Sequence, residues 1–216
     1  MKNLIFPILT VLTMLQSCAP TNNDLVPDET AKKIFTPAEL KGIDEMIKFV
    51  DSKVSENENL TDINQIYHAY FDKLDSYVSD GKMFPILLKD TTKFKFLEAV
   101  DKDAFSSIWK IDDYTKMVRY KDTTLTDLHG FKTLTLNYQG KYLSYLKETG
   151  KSDSLYSQIY KSIEIAGDIP PSIVSWYPTQ TKKIDFTSFN ARLWATVFLL
   201  RMGDPLEEKV ERYLKK

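Results

Sequence analysis

The stretch TSFNARLWATVFLLRMGDP, residues 187–205, decides the fold class of the chain. Thr187 or Ser188 supplies a helix N-cap, and Gly203 supplies a stop. Between these ends, large apolar residues recur at helical spacing: Phe189, Leu193, Trp194, Val197, Phe198 and Leu200. The pattern predicts a strongly apolar helix, and a final amphipathic helix follows it directly.

Paired helices are predicted at the other end of the folded region. The stretch Thr36-Pro37-Ala38-Glu39 combines an N-cap Thr, a Pro at the first helical position and a Glu two residues later, which is typical of a helix start. A second helix begins after Thr61 or Asp62 and ends near Gly81. Only the short polar segment 55–59 separates the two apolar patterns, so an antiparallel hairpin is predicted.

The middle of the chain is open to more than one interpretation. Residues 82–124 have no clean period, although Asp90 is in position to cap a helix. Residues 114–120 fit either a strand or an irregular loop. From Thr126 onward, apolar residues at helical spacing predict a long helix that runs to Leu146.

Together these patterns predict an all-α, mainly helical single domain over residues 36–216. Its architecture is expected to be a set of antiparallel helical hairpins, arranged like a bundle or a short α-solenoid. Residues 191–204, with an Arg among apolar residues and a closing Gly-Asp turn, resemble one unit of the HEAT-type α-solenoids. That resemblance implies stacked helical hairpins, but no matching period recurs elsewhere in the chain.

Composition excludes several classes of function. Apolar residues make up 43% and charged residues 27% of the chain, which is ordinary for a globular domain. The formal net charge is -1, and the few arginines are dispersed, so we expect no nucleic-acid partner. With a single cysteine, no intramolecular disulfide and no Cys-based zinc site can form.

The N-terminal 18 residues, MKNLIFPILTVLTMLQSC, indicate a lipid anchor. Lys2 precedes an apolar stretch of about a dozen residues, which is the length of a signal-peptide core. Leu15-Gln16-Ser17-Cys18 resembles the lipobox of bacterial lipoprotein signal peptides, with Leu three residues before the Cys and a small residue just before it. Gln16 departs from the small residue usual at its position.

The lipoprotein resemblance implies cleavage after residue 17 and a lipid on Cys18, which would hold the protein in a bacterial membrane. Ala19 resembles the context of outer-membrane sorting. Residues 18–35 are polar, contain two prolines and show no period, so they are predicted to be a flexible tether.

Motifs of known chemistry are missing from the sequence. There is no Gly-x-Ser-x-Gly elbow, Walker loop or dinucleotide-binding glycine pattern, and we expect no cofactor, nucleotide or metal. His68 has only Asp72 at helical spacing, and His129 lies among core positions, so it is predicted to be partly buried. The pair Asp112-Asp113 fits acid–base chemistry on sugars only if the fold brings both into one pocket.

A non-enzymatic protein-interaction module is the favoured function, either an assembly accessory or an immunity-type factor, with an envelope protein as its partner. The alternative is an envelope hydrolase or a glycan-binding lipoprotein. The candidate partner surface is a loop predicted at 167–185, with Trp176 and Tyr177 as anchors and Lys182 and Lys183 tuning the approach by charge.

Overall fold

The protein is mainly helical, with one long β-hairpin in the middle of the chain. A computed structural model describes residues 25–56 and 58–215. The helices and strands in chain order are α1 (Glu29–Ile34), α2 (Pro37–Ser55), α3 (Ile63–Ser79), α4 (Asp90–Leu97), α5 (Lys102–Ile108), β1 (Trp109–Tyr120), β2 (Thr123–Leu136), α6 (Lys141–Thr149), α7 (Ser154–Ala166), α8 (Pro171–Gln180), a 3-10 turn (Thr181–Lys183), α9 (Phe189–Arg201) and α10 (Leu206–Leu214).

Helix α9 occupies the centre of the main hydrophobic core. Every residue from Ala191 to Leu200 is buried, so this helix is covered around its whole circumference. It packs along α2, and aromatic rings from three other helices meet it. These ring contacts are Phe71 of α3 with Phe198, Tyr145 of α6 with Phe189, and Tyr177 of α8 with Trp194 and Phe198.

The predicted N-terminal helices are confirmed, and so are the residues that start them. Thr36 accepts from the backbone N–H of Glu39, and the Glu39 carboxylate accepts from the Thr36 N–H at 2.6 Å, which completes a capping box. Asp62 accepts from the N–H of Gln65 and begins α3. These reciprocal bonds satisfy N–H groups that an α-helix leaves without a partner.

The prediction of a tether up to residue 35 is wrong for its last part. Asp28 caps α1 by accepting from the Ala31 N–H at 2.7 Å, and Ala31 and Phe35 are both buried in the main core. The Tyr145 hydroxyl also donates to Asp28, at 2.6 Å. The folded domain therefore extends at least to Leu25, which packs against the core.

The long helix predicted from Thr126 to Leu146 is also wrong, and with it a strictly all-α fold. Residues 123–136 form β2, which pairs antiparallel with β1. Of the range predicted to be helical, only the last part is a helix, α6. Threonine recurs along β2, and β-branched residues favour strands over helices. Gly130 and Asp127 have positive φ angles, a backbone conformation that interrupts a helix.

The hairpin has a small hydrophobic cluster of its own, separate from the main core. Val118, Leu128 and Phe131 of the strands pack with Val210 of α10, and Tyr120, Leu125 and Tyr213 lie against them. The base of the hairpin joins the main core instead, through Trp109, Leu134 and Leu136. The two ends of the hairpin are therefore held by different contacts.

The predicted loop at 167–185 is wrong as well, because most of it is α8 followed by the 3-10 turn. Pro171 occupies the first helical position, where its missing N–H costs nothing. The Tyr177 side chain is fully buried, and Trp176 is partly buried against the core. Tyr177 is thus a core residue rather than an anchor for a partner.

Within residues 25–56 and 58–215, no helix combines the length and apolar character that crossing a bilayer requires.

Replacing Tyr177 with Ala tests its place in the core. The change is expected to lower the free energy of unfolding by about 3–5 kcal/mol, because it leaves a cavity beside Trp194 and Phe198. Thermal and urea melts measure the loss. The exposed neighbour Lys182 is the control, and Lys182→Ala is expected to change stability by less than about 0.5 kcal/mol.

Tyr177→Phe separates the ring from the hydroxyl. The Tyr177 hydroxyl is buried with no hydrogen-bond partner among the described residues, so its removal is expected to be neutral or stabilising by up to about 1 kcal/mol. If Tyr177→Ala leaves the melting temperature unchanged, Tyr177 does not lie in the core.

Candidate functional site

A cleft with a volume of about 1130 Å³ lies where the N-terminal end of α9 meets α1, α2 and α3. We call it the Asp51–Arg192 cleft. Its walls come from the start of the folded chain, from α2, from the beginning of α3, from the end of α6 and from residues 187–192. Five parts of the chain therefore have to be folded before the cleft exists.

A buried ion pair lies in the cleft, and two distant helices supply it. Asp51 of α2 and Arg192 of α9 form the pair, and their side chains are only 13% and 10% exposed. From α3, the Tyr67 hydroxyl donates to the other Asp51 oxygen at 2.8 Å. Both oxygens of this carboxylate therefore have a partner in the protein.

Burial dominates the electrostatics of this group. It raises the pKa of Asp51 above its usual value, although the Arg192 guanidinium and the Tyr67 hydroxyl both favour the charged form. Burial also raises the pKa of Tyr67 well above its usual value. The charged carboxylate is therefore tolerated only because Arg192 is beside it.

Hydroxyl groups cover much of the remaining cleft wall. They belong to Thr30, Ser52, Ser55, Thr61, Thr149, Ser152, Thr187 and Ser188, with the amide of Asn190 beside them. Phe189 is the one aromatic residue among the described lining residues. The cleft therefore combines apolar wall, from Leu25, Val26, Ile63, Ile66 and Phe189, with polar groups on several sides.

The other carboxylates of the cleft already have structural roles. Asp28 caps α1 and accepts from Tyr145, and Asp62 caps α3. No His or Cys is found among the described residues that line the cleft. Asp51 is held by Arg192 and Tyr67, so each of the three carboxylates in the described cleft wall already has a partner in the protein.

None of the residues considered for catalysis lies in this cleft. Asp112 forms an ion pair with Lys110 at 2.7 Å on the hairpin. His129 is exposed, not partly buried as expected, and its ring packs against Tyr114 at 5.0 Å between centroids. The His68 ring packs against Phe186 at 5.3 Å. The structure therefore does not gather Asp112, Asp113 and His129 in one pocket.

The predicted partner residues do not form one surface either. Tyr177 is buried in the core and Trp176 is partly buried. Lys182 and Lys183, in contrast, are exposed on the 3-10 turn. Cys18 lies outside the described residues. In the described part of the chain, no group of three His, Cys, Asp or Glu side chains is placed to hold a metal ion.

The sequence patterns did not predict the Asp51–Arg192 pair, although Arg192 itself could have been recognised as unusual. Arg192 interrupts an otherwise apolar run, and an arginine in such a run needs a buried acidic partner. The partner itself is 141 positions away, and nothing in the local pattern distinguishes Asp51 from the other acids of α2.

A second buried ion cluster joins the end of α9 to α4. Two reciprocal hydrogen bonds join Asp90 and Asp204. The Asp90 backbone N–H donates to the Asp204 carboxylate at 3.2 Å, and the Asp204 backbone N–H donates to the Asp90 carboxylate at 3.4 Å. Lys93, which is 1% exposed, lies 2.9 Å from Asp90 and donates to the Met202 carbonyl at 2.8 Å. Gly203 permits this approach, since a Cβ there would lie 2.5 Å from an Asp90 oxygen.

Comparison with protein-family models, with curated proteins and with solved structures finds no match to this chain.

Replacing Arg192 with Met tests the buried pair. The change leaves Asp51 buried without its counterion, and we expect a loss of about 3 kcal/mol in the free energy of unfolding at pH 7. Loss of the cation raises the pKa of Asp51 further, and the charged form is the costly one. The loss should therefore shrink as the pH is lowered and the carboxyl takes up its proton.

The matched control combines Arg192→Met with Asp51→Asn, which removes both charges and keeps an acceptor for Tyr67. We expect the double variant to be at least about 1 kcal/mol more stable than the sum of the two single losses implies. Strictly additive losses, measured by urea unfolding at pH 7, would contradict the coupling.

Proposed function

We propose that this protein is a lipid-anchored lipoprotein of the bacterial envelope whose helical domain is a non-enzymatic protein-interaction module. Cys18 carries the lipid, the outer membrane is its location, and the Asp51–Arg192 cleft receives a polar peptide segment of an envelope protein. The finer architecture belongs to the same proposal: helical hairpins such as α2/α3 and α6/α7 are arranged like a bundle. The HEAT-type resemblance of residues 191–204 stays a prediction.

The position of the cleft relative to the anchor is the observation that supports this function most. Leu25 and Val26, the first residues that the structure describes, form part of the cleft wall. Seven peptide units separate Cys18 from Leu25, and a chain of that length spans at most about 25 Å. A lipid on Cys18 thus keeps the cleft close to the membrane surface, where envelope proteins present their exposed segments.

The chemistry of the cleft favours a peptide over a glycan. Backbone N–H groups of an extended peptide need acceptors on several sides, and the hydroxyl oxygens of the wall supply them. The hydroxyl protons of Ser52, Ser55, Ser152, Thr187 and Ser188 are already donated within the protein. Sugar rings are usually held against several aromatic faces, whereas Phe189 is the one aromatic side chain among the described lining residues. Glycan binding is retained as the alternative because hydroxyl, amide and carboxylate groups also hydrogen-bond to sugars.

Two features count against the envelope hydrolase. The carboxylates of the cleft are engaged as helix caps or in the buried ion pair. The Asp112–Asp113 pair and His129, on which the hydrolase hypothesis depended, lie on the hairpin outside the described cleft.

Replacing Cys18 with Ser tests the anchor. In the producing bacterium, the wild-type protein is expected to incorporate labelled palmitate and to sediment with the membranes. Cys18→Ser should do neither. Ser17→Ala, which keeps a small residue before the cysteine, is the control and should behave like the wild type. If wild type is unlabelled and soluble, the lipoprotein proposal is wrong.

A photo-crosslinking amino acid in the cleft tests the interaction. Ser52 of α2 lines the cleft, whereas Ser106 of α5 does not. Both side chains are exposed, and each hydroxyl donates only to the carbonyl three residues earlier. The two positions are therefore matched, and a discrete protein adduct is expected from position 52 and not from position 106.

Mass spectrometry of the adduct decides between the alternatives. A single envelope protein, crosslinked through one of its exposed segments, supports the interaction module. A heterogeneous glycan adduct supports the glycan-binding alternative instead. Equal adducts from both positions, or none from either, would contradict binding in the cleft.

A further inference from the structure

A second cavity, of about 350 Å³, lies on another side of the molecule, between α4, β2 and α10. It has a different chemical character from the Asp51–Arg192 cleft and shares no lining residue with it. We call it the α4–α10 cavity. Its described lining residues are Asp90, Thr91, Phe94, Lys95, Glu98, Gly130, Phe131, Lys132, Lys209, Arg212 and Tyr213.

Three aromatic rings give the cavity an apolar side. Phe94 of α4 is 9% exposed and Phe131 of β2 is 5% exposed. Tyr213 of α10 packs edge-on against Phe131, with 5.6 Å between ring centroids. Rings from three separate elements therefore contribute to the cavity wall, and aromatic groups attract one another in edge-to-face and offset-stacked arrangements.

The charged side of the cavity is positive. Four cationic side chains line it, Lys95, Lys132, Lys209 and Arg212, against only two carboxylates, Asp90 and Glu98. Both carboxylates are neutralised by the protein: Asp90 contacts Lys93 at 2.9 Å and Lys209 at 3.1 Å, and Glu98 pairs with Lys132.

Part of that positive charge is available to a ligand. Lys95 is exposed and has no ion-pair or hydrogen-bond partner among the described residues. Arg212 uses one nitrogen on Asp204, at 2.6 Å, while its other terminal nitrogen is 3.7 Å from Asp90 and the side chain is 36% exposed.

The cationic wall is also held in place before any ligand arrives. The two hydrogen bonds between Asp90 and Asp204 fix the start of α4 against the turn that precedes α10. Lys93 and Lys209 both lie beside the Asp90 carboxylate. Burial raises the pKa of this carboxyl, but the two cations hold it below its usual value, so Asp90 stays charged. A preorganised site loses little entropy on binding.

We propose that the α4–α10 cavity binds a small organic anion with an aromatic ring. The ring lies among Phe94, Phe131 and Tyr213, and the acidic group, a carboxylate or a phosphate, lies toward Lys95 and Arg212. The volume of about 350 Å³ suits a ligand of this size. This site is independent of the lipid anchor and of the Asp51–Arg192 cleft.

Calorimetric titration of the full-length protein tests the proposal with probes that separate ring from charge. Phenyl phosphate and benzoate carry both features, inorganic phosphate carries only the charge, and benzyl alcohol carries only the ring. Phenyl phosphate or benzoate is expected to bind at least about tenfold more tightly than either partial probe. Equal affinity for inorganic phosphate, or no binding of the two aromatic anions at millimolar concentration, overturns the proposal.

Two charge changes of opposite sign locate the site. Lys95→Gln removes the uncommitted cation and is expected to weaken phenyl phosphate binding about fivefold. Glu98→Gln frees Lys132 from its partner and is expected to strengthen binding by a similar factor. Lys41→Gln, which changes an exposed lysine of α2 away from the cavity, is the matched control and should leave affinity unchanged.

All three residues are exposed, so the variants should melt within a few degrees of the wild type. If Lys95→Gln and Lys41→Gln weaken binding equally, the anion is held by net charge alone and the site is refuted. If Glu98→Gln weakens binding, the cavity does not select for negative charge, and the proposal also fails.

Discussion

Burial of α9 is the constraint on which the rest of the structure depends. An ordinary surface helix needs cover on one face only, whereas every side chain of α9 from Ala191 to Leu200 is removed from water. Such a helix is stable only when neighbours enclose it, and α2, α3, α6 and α8 supply that enclosure. The order of these helices around α9 in turn sets the edges between which the Asp51–Arg192 cleft opens.

Arg192 is the one charged residue in the buried run of α9 from Ala191 to Leu200. A charge inside an apolar helix is costly, and only a carboxylate at close range offsets that cost. The acidic partner comes from α2 and is in turn held by Tyr67 of α3. Three helices are thereby fixed in relative position by the two contacts of one carboxylate, in the wall of the cleft.

Local signals in the sequence predicted the mainly helical fold and the helix starts well. Thr36 and Asp62 cap helices because the needed hydrogen bonds are made within three residues. The hairpin was missed because the apolar residues of 125–136 fit a helical period, and only the cross-strand pairing decides in favour of strands. The candidate site was out of reach, since Asp51 and Arg192 meet through tertiary packing. Three prolines also made α8 resemble a loop, although Pro171 starts that helix.

The separation of the two hydrophobic clusters divides the molecule into regions of unequal stability. The tip of the hairpin and α10 hold each other through Val118, Leu128, Phe131 and Val210, without direct support from the core around α9. Ion pairs of Lys209 with Asp90 and of Arg212 with Asp204 also hold α10. Few buried apolar groups hold the distal strands, so the strands open at a lower free energy than the central helices. Amide hydrogens of the distal strands therefore exchange early, while those of α9 exchange only when the whole domain unfolds.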